Sequence, residues 1–329
     1  MTIHMKTVEE VKSLLADGKR LLLAGDEALL RDLPKGEWIG GTIPYFIGDE
    51  GGVQTKDAIF VEVLTDEVTE ISIKSYPAAE LAKIPADAPD NGFSIIVLPA
   101  FSEAHLSYAQ EAPEYPGLFM KPIIGWITGF DLADLGKVSA KTFDGRTGEA
   151  FEDRAVLLHA ALPEGRQASI GIVNLFEPGE GPVLTFAETG FGATTCKIDG
   201  EERNLAEWLT ENEIDTRLPL VADVFGSKIN TSIQNVDPEA GKVDFYAPVF
   251  EGTEYRVARP VADYVGDFVE AVPEGAAGTA FSCNCILNYL YSELEGKKVG
   301  SFTGPMTFGE VAYQLLNQTM VYLEIRDAG

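Results

Sequence analysis

Apolar residues come in short blocks separated by glycine, proline and acidic residues, and the spacing inside each block predicts its structure. Leu21, Leu22 and Leu23 stand between Gly18 and Gly25 and predict a buried strand over 20–24. A brief helix over 27–33, stopped by Pro34, and a strand over 37–41 follow, so strand–helix–strand leads into a loop at Thr42. Ahead of them, residues 8–15 read as a helix with Thr7 as its cap and Glu10 three positions on. Strands are expected over 58–64 and 69–75. A second unit begins at Phe93, with a strand over 94–99, a helix over 104–111 and a strand over 121–128. Alternation over 140–143 and 154–161, around the Asp144-Gly145 turn, predicts hairpin strands. Strands over 168–175, 182–187 and 191–196 lead through Asp199-Gly200 to a helix over 205–211.

The third stretch predicts strands over 227–235 and 243–248, then an amphipathic helix over 261–272 with Tyr264, Val265 and Phe268 on one face. A glycine-rich turn at 275–278, a strand over 280–283, a helix over 286–294 and a strand over 299–302 enter a second loop. A last strand covers 319–325. The fold class is α/β with mixed sheets. The best hinge, at 212–218, divides the chain into domains 1–211 and 212–329.

The two loops echo each other. Thr42-Ile43-Pro44-Tyr45-Phe46-Ile47-Gly48-Asp49 and Thr303-Gly304-Pro305-Met306-Thr307-Phe308-Gly309-Glu310 are both T-x-P-x-x-x-G-[D/E], and a shift of 261 positions superposes them without a gap. The same shift pairs Leu29 with Leu290 and Leu33 with Leu294. The expectation is two related halves about a pseudo-two-fold, with a site where they meet.

Composition narrows the function. The chain has 329 residues, 52 acidic against 25 basic, and a net charge of −27. That charge repels nucleic acid and anionic membrane surfaces. No apolar run reaches the length of a membrane span, and residues 1–15 form a mixed-charge amphipathic stretch rather than a signal peptide, so a cytoplasmic protein is the expectation. The three cysteines, Cys196, Cys283 and Cys285, are too few for a disulfide framework. In a strand Cys283 and Cys285 share a face, and buried reduced thiols are the expected state.

Proline and glycine make each loop a rigid bend, in which the threonine hydroxyl and freed amides face a small polar ligand and Asp49 or Glu310 meets an amine. The alternative is a turn whose threonine caps its own backbone. The segment Gly125-Trp126-Ile127-Thr128-Gly129 lacks both the dinucleotide and the P-loop spacing, so no phosphate cradle is expected. Trp126 is either core or an apolar wall. Among the histidines, His4 is expected in a loose terminus, His159 in a satisfied core position, and His105 at the carboxyl edge of a sheet, where functional groups collect. Cys283 and Cys285 could ligate a metal but have no second Cys/His pair to complete four ligands, and no H-x-H, H-x-x-H or H-E-x-x-H occurs. Cys283, at a strand-to-helix junction, would need a base and an oxyanion hole to act as a nucleophile.

These segments resemble the FIST family of bacterial sensory proteins. The resemblance lies in 123–129, 153–158, 171–178, Ala280-Phe281-Ser282-Cys283-Asn284, Thr303 to Glu310 and Asn317-Gln318-Thr319, and Thr42 to Glu50 fills the corresponding place in the first half. The chain departs from the family pattern at Trp126, Cys285 and Leu316. The resemblance implies a sensor that binds a small molecule such as an amino acid and signals through a partner protein. Haem binding is the alternative the resemblance leaves open, and a cysteine-dependent enzyme using Cys283 is the one the residues themselves leave open. The expected pocket combines Thr42, Pro44, Tyr45, Gly125, Trp126, Thr128, Cys283, Asn284, Thr303, Pro305 and Glu310. In it Thr42 and Thr303 donate hydrogen bonds, Glu310 carries charge and Trp126 forms an apolar wall. Neither a resident cofactor nor a metal is expected.

Overall fold

Strands Leu21–Gly25 and Trp38–Thr42 lie parallel, joined by helix Glu27–Arg31, in the computed structural model of the chain, which describes residues 4–224, 227–271 and 280–328. The three leucines and Ala24 are wholly buried, and the Asp26 carboxylate accepts from the Ala28 amide to start the helix. After Thr42 the chain forms a hairpin, Tyr45–Gly48 with Gly51–Gln54, and returns as Ile59–Val63 antiparallel to Leu21–Gly25. An edge strand, Met5–Lys6, pairs with the return strand. The capping box expected at Thr7 and Glu10 is formed.

The same unit occurs three times. In the second, Glu70–Pro77 is the edge strand, Gly92–Pro99 and Ile123–Thr128 are the parallel pair around helix Glu103–Glu111, Thr142–Asp144 and Glu149–Phe151 are the hairpin, and Arg154–Ala161 returns. In the third, Arg166–Val173 is the edge, Phe281–Cys285 and Gly304–Thr307 are the pair around helix Ile286–Tyr291, Glu310–Ala312 and Gln314–Leu316 are the hairpin, and Met320–Asp327 returns. Each hairpin leaves its own sheet. The first pairs with Gly304–Thr307 of the third unit, the third with Ile123–Thr128 of the second, and the second with Trp38–Thr42 of the first. The result is three six-stranded mixed sheets with one strand order, closed into a ring by exchanged hairpins.

This corrects the expected pairing of two halves. Across the three parallel pairs, Gly25 lies opposite Thr42, Pro99 opposite Thr128 and Cys285 opposite Thr307. The counterpart of Thr42 is therefore Thr307 rather than Thr303. The third unit has a longer connection, 292–303, between helix and strand than the first, 32–37, and a gapless superposition cannot absorb the difference. The strand expected over 299–302 is likewise displaced to Gly304–Thr307.

No unit completes its own sheet, so the core is shared. The largest buried cluster gathers Ile43 and Phe46 of the first unit, Ile124 and Trp126 of the second, and Phe281 and Met306 of the third. Between Arg166–Val173 and Phe281–Cys285 the chain builds an outer lobe with a second core around Leu184, Trp208, Leu220 and Phe245. The expected domain boundary at 211/212 falls inside that lobe, where Trp208 and Leu209 pack with Leu220 and Ala222. Buried Asn230 ties the lobe to the ring by donating to the Asn317 carbonyl at 3.0 Å. The glycine-rich turn expected at 275–278, and the end of the helix expected at 272, lie outside the described residues. The described helix is Tyr264–Ala271. Among the described residues no helix is long and apolar enough to cross a membrane.

Candidate functional site

The carboxyl ends of parallel strands are where open α/β sheets present ligands, because the backbone amides and side chains of the connectors splay apart there. In this ring those ends carry the three buried threonines, and the connectors cross one another. The Gly129 amide donates to the Thr42 carbonyl at 2.7 Å, and the Phe308 amide to the Ile127 carbonyl at 3.1 Å. The crossing demands small residues: a Cβ on Gly41 would sit 2.2 Å from Thr128 Cγ2, and one on Gly129 2.4 Å from the Phe308 ring. Thr42 Oγ1 accepts from the Lys141 amide at 2.9 Å. Thr128 is wholly buried, and its hydroxyl has no partner among the described residues.

Beside this crossing lies an open cleft of about 400 Å³. One wall is helix Glu27–Arg31 with its cap Asp26, another is the connector Thr42-Ile43-Pro44, and the rest comes from Lys56 and the loop over 129–139. Both signs of charge face it. Lys56 Nζ bridges Asp131 at 3.1 Å and Asp134 at 2.9 Å, hydrogen bonds that raise its pKa. Asp131 in turn is held below the usual carboxylate range by the Ala133 amide and by Lys56. Burial pushes Glu27 up, but hydrogen bonds from Lys141 at 2.8 Å and Arg31 at 2.7 Å outweigh it and hold the carboxylate low. Tyr45 lies behind this wall: its hydroxyl accepts from the Leu132 amide at 3.1 Å and fixes the 131–132 turn.

Of the residues expected in a pocket, Thr42 and Pro44 line the cleft and Tyr45 buttresses it. Cys283, Asn284, Thr303 and Pro305 do come together, but around a separate recess of about 10 Å³, room for no more than a water molecule. Between the Thr42 and Thr303 loops the space is that small recess, lined also by Ile47, because the strand entered after one loop pairs directly with the strand entered after the other, Pro305 opposite Phe46. Thr303 instead meets His4, whose ring stacks on Phe60 at 5.5 Å, so His4 is packed rather than loose. Trp126 is core, stacked on Phe281 at 5.3 Å. Gly125 accepts from the Cys283 thiol at 3.3 Å.

Glu310 is also corrected. It is wholly buried, and its hydrogen-bond partners are Thr307 at 3.2 Å, the hydroxyl and amide of Thr319 at 2.9 and 3.3 Å, and the Cys285 thiol. No cation is among them, and burial pushes its pKa up to about 8, which favours the protonated carboxyl. All three cysteines are free and buried, and burial raises the Cys283 and Cys285 thiols well above their ordinary value. His159 is satisfied, between the Tyr76 hydroxyl at 3.0 Å and the Ser94 hydroxyl at 2.8 Å. His105 borders a recess of about 50 Å³, far too small for a haem. Asp26, Glu27, Arg31, Lys56, Asp131 and Asp134 escaped the reading of the sequence. The available signal was the position of Asp26 just past the strand ending at Gly25.

The chain belongs to a family of unknown function, DUF6976, whose pattern it matches over residues 6–326. No curated protein and no solved structure matches it.

Proposed function

We propose that the protein is a non-catalytic small-molecule-binding module, and that it takes a small zwitterion such as an amino acid in the cleft beside the Thr42–Gly129 crossing. The observation that carries this reading is a cleft of about 400 Å³ at the carboxyl ends of a parallel pair, with Asp26 and Asp131 on one side of the charge balance and Arg31 and Lys56 on the other. Ligand sites of this size class are about 300–1,000 Å³. A dianion is disfavoured there, since four carboxylates line the cleft against two cations. A zwitterion offers an ammonium to Asp131 and a carboxylate to Lys56 or Arg31. The ion pairs it would exchange are solvent-accessible and worth only about 0–1 kcal/mol each, so opening them costs little.

Nucleophilic catalysis by Cys283 is disfavoured by a thiol that is wholly buried and held protonated by its surroundings. The signalling role, through a partner protein, rests on the resemblance to the FIST family. A thermal-shift screen of the twenty amino acids tests the ligand class. A ligand at a hundred times its dissociation constant stabilises by about 2.7 kcal/mol. The reading fails if none of them shifts the melting temperature.

A further inference from the structure

The charged groups make up only part of the cleft. Ile43, Pro44, Phe130 and Val138 line it as well. Ile43 is wholly buried and Phe130 is 9% exposed, whereas Val138 is 46% exposed and open to solvent. This apolar wall continues past the cleft. Phe130, Val138 and Ser139 also line a neighbouring recess of about 390 Å³, together with Phe101 and Leu135. Aromatic rings back the wall: Phe130 lies 6.3 Å from Phe101 and 5.3 Å, edge-on, from Phe308. Phe101 and Leu135 are 49% and 63% exposed. Single apolar side chains on a surface are ordinary, but a group of them around adjoining cavities marks a binding surface.

The charged groups grip the backbone ends shared by all amino acids, so they do not tell one amino acid from another. Discrimination falls to the rest of the lining. A cationic side chain would have to displace a further lysine or arginine, because Glu27 is paired with Arg31 and Lys141, and Asp131 and Asp134 share Lys56. Asp26 caps its helix by accepting from the Ala28 amide at 2.9 Å. The remaining wall is hydrocarbon, and covering it removes apolar surface from water, a gain that grows with the size of the apolar group.

We propose that the ligand of the cleft is an amino acid with a large apolar side chain, aromatic or branched aliphatic, which lies over Phe130 and Val138 toward Leu135 and Phe101 while the charged groups hold the α-ammonium and α-carboxylate. This rests on the amino-acid reading of the cleft and names which members of that class bind.

The test is calorimetric titration of the full chain with L-phenylalanine, L-leucine, L-alanine and L-arginine. One methylene in an enclosed pocket is worth about 10–200-fold, and this wall is partly open to solvent, so phenylalanine and leucine are expected to bind at least about tenfold more tightly than alanine. Both are also expected to bind more tightly than arginine. Val138 and Leu135 belong to none of the buried clusters. The double variant Val138→Ser, Leu135→Ser is therefore expected to fold and to cut the phenylalanine-to-alanine affinity ratio at least threefold. That ratio does not change with the fraction of folded protein, so it separates lost contacts from lost fold. A preference over alanine below tenfold, tighter binding of arginine, or a smaller fall in the ratio overturns the proposal and leaves the amino-acid reading standing. Binding by none of the twenty amino acids ends both.

Discussion

The amide of Gly129 donates to the carbonyl of Thr42 at 2.7 Å, which fastens the connector leaving the first parallel pair to the connector leaving the second. Both residues line the charged cleft, so the bond that closes the ring also sets the geometry of the proposed site. Fold and proposed site meet there because each hairpin is lent to the next unit, and a connector must cross a neighbour's to deliver it.

Gly125 was a ligand candidate on sequence grounds, and the fold gives it a packing role. A Cβ there would lie 1.8 Å from the Ile96 carbonyl oxygen of the adjacent parallel strand. Gly125→Ala is expected to lower stability by about 1–3 kcal/mol, the usual cost of overpacking. Urea denaturation measures it. A variant as stable as the wild type would place the strand pair elsewhere.

Glu310 makes stability depend on pH. Its folded pKa of about 8 lies above the ordinary 4.5, so its stabilising contribution is complete below about pH 4.5 and is lost as pH rises through 8. Glu62, pushed up to about 8 by burial, acts in the same sense. His105 and His159 work in the opposite direction, and only below their ordinary 6.5: burial lowers both to about 4, so their contribution is present above 6.5 and disappears as pH falls through 4. Between pH 6.5 and 8 the wild type is therefore expected to lose stability, with each carboxyl adding up to about 1.4 kcal/mol per pH unit. Glu310→Gln is expected to flatten the slope. Chemical denaturation of both proteins at pH 6.5 and 8 decides, and equal slopes would show that Glu310 does not titrate in this window.

The thiols give a test of the disfavoured nucleophile. Cys283 and Cys285 are each about 1% exposed, and Cys283 donates its proton to Gly125. Iodoacetamide at neutral pH is expected to leave both unmodified in the native protein and to alkylate them in denaturant. Rapid native alkylation of Cys283, read by peptide mass spectrometry, would revive the nucleophile.

The sequence made the inner parts of each unit legible and hid their assembly. Leu21 to Ala24 and Ser94 to Pro99 announce buried strands through apolar runs and punctuation, and Thr7 announces a helix start. The hairpins of the first and third units were read as loops, because Pro44, Gly48, Gly51 and Gly52 in one and Gly309 beside the other carry little strand propensity. They are strands because a distant unit pairs with them, as at Glu310 opposite Trp126, and no local pattern encodes that. The cleft was only half visible. Thr42 and Pro44 stood out as a bend, whereas Lys56, Asp131 and Asp134 look like any surface charges until the 129–139 loop folds across the first unit.

Removing a cleft cation should separate stability from binding. Lys56 is partly exposed and its pairs are of the surface kind, so Lys56→Met is expected to change stability by less than about 1 kcal/mol. Thermal denaturation without ligand checks this. A larger loss would mean that Lys56 is structural and uninformative about ligand.

The most direct measurement is calorimetric titration of the strongest amino-acid hit into wild type, Lys56→Met and Asp131→Asn. The account predicts saturable one-site binding to the wild type and at least a tenfold loss of affinity in each variant. Affinity unchanged in both variants would contradict it.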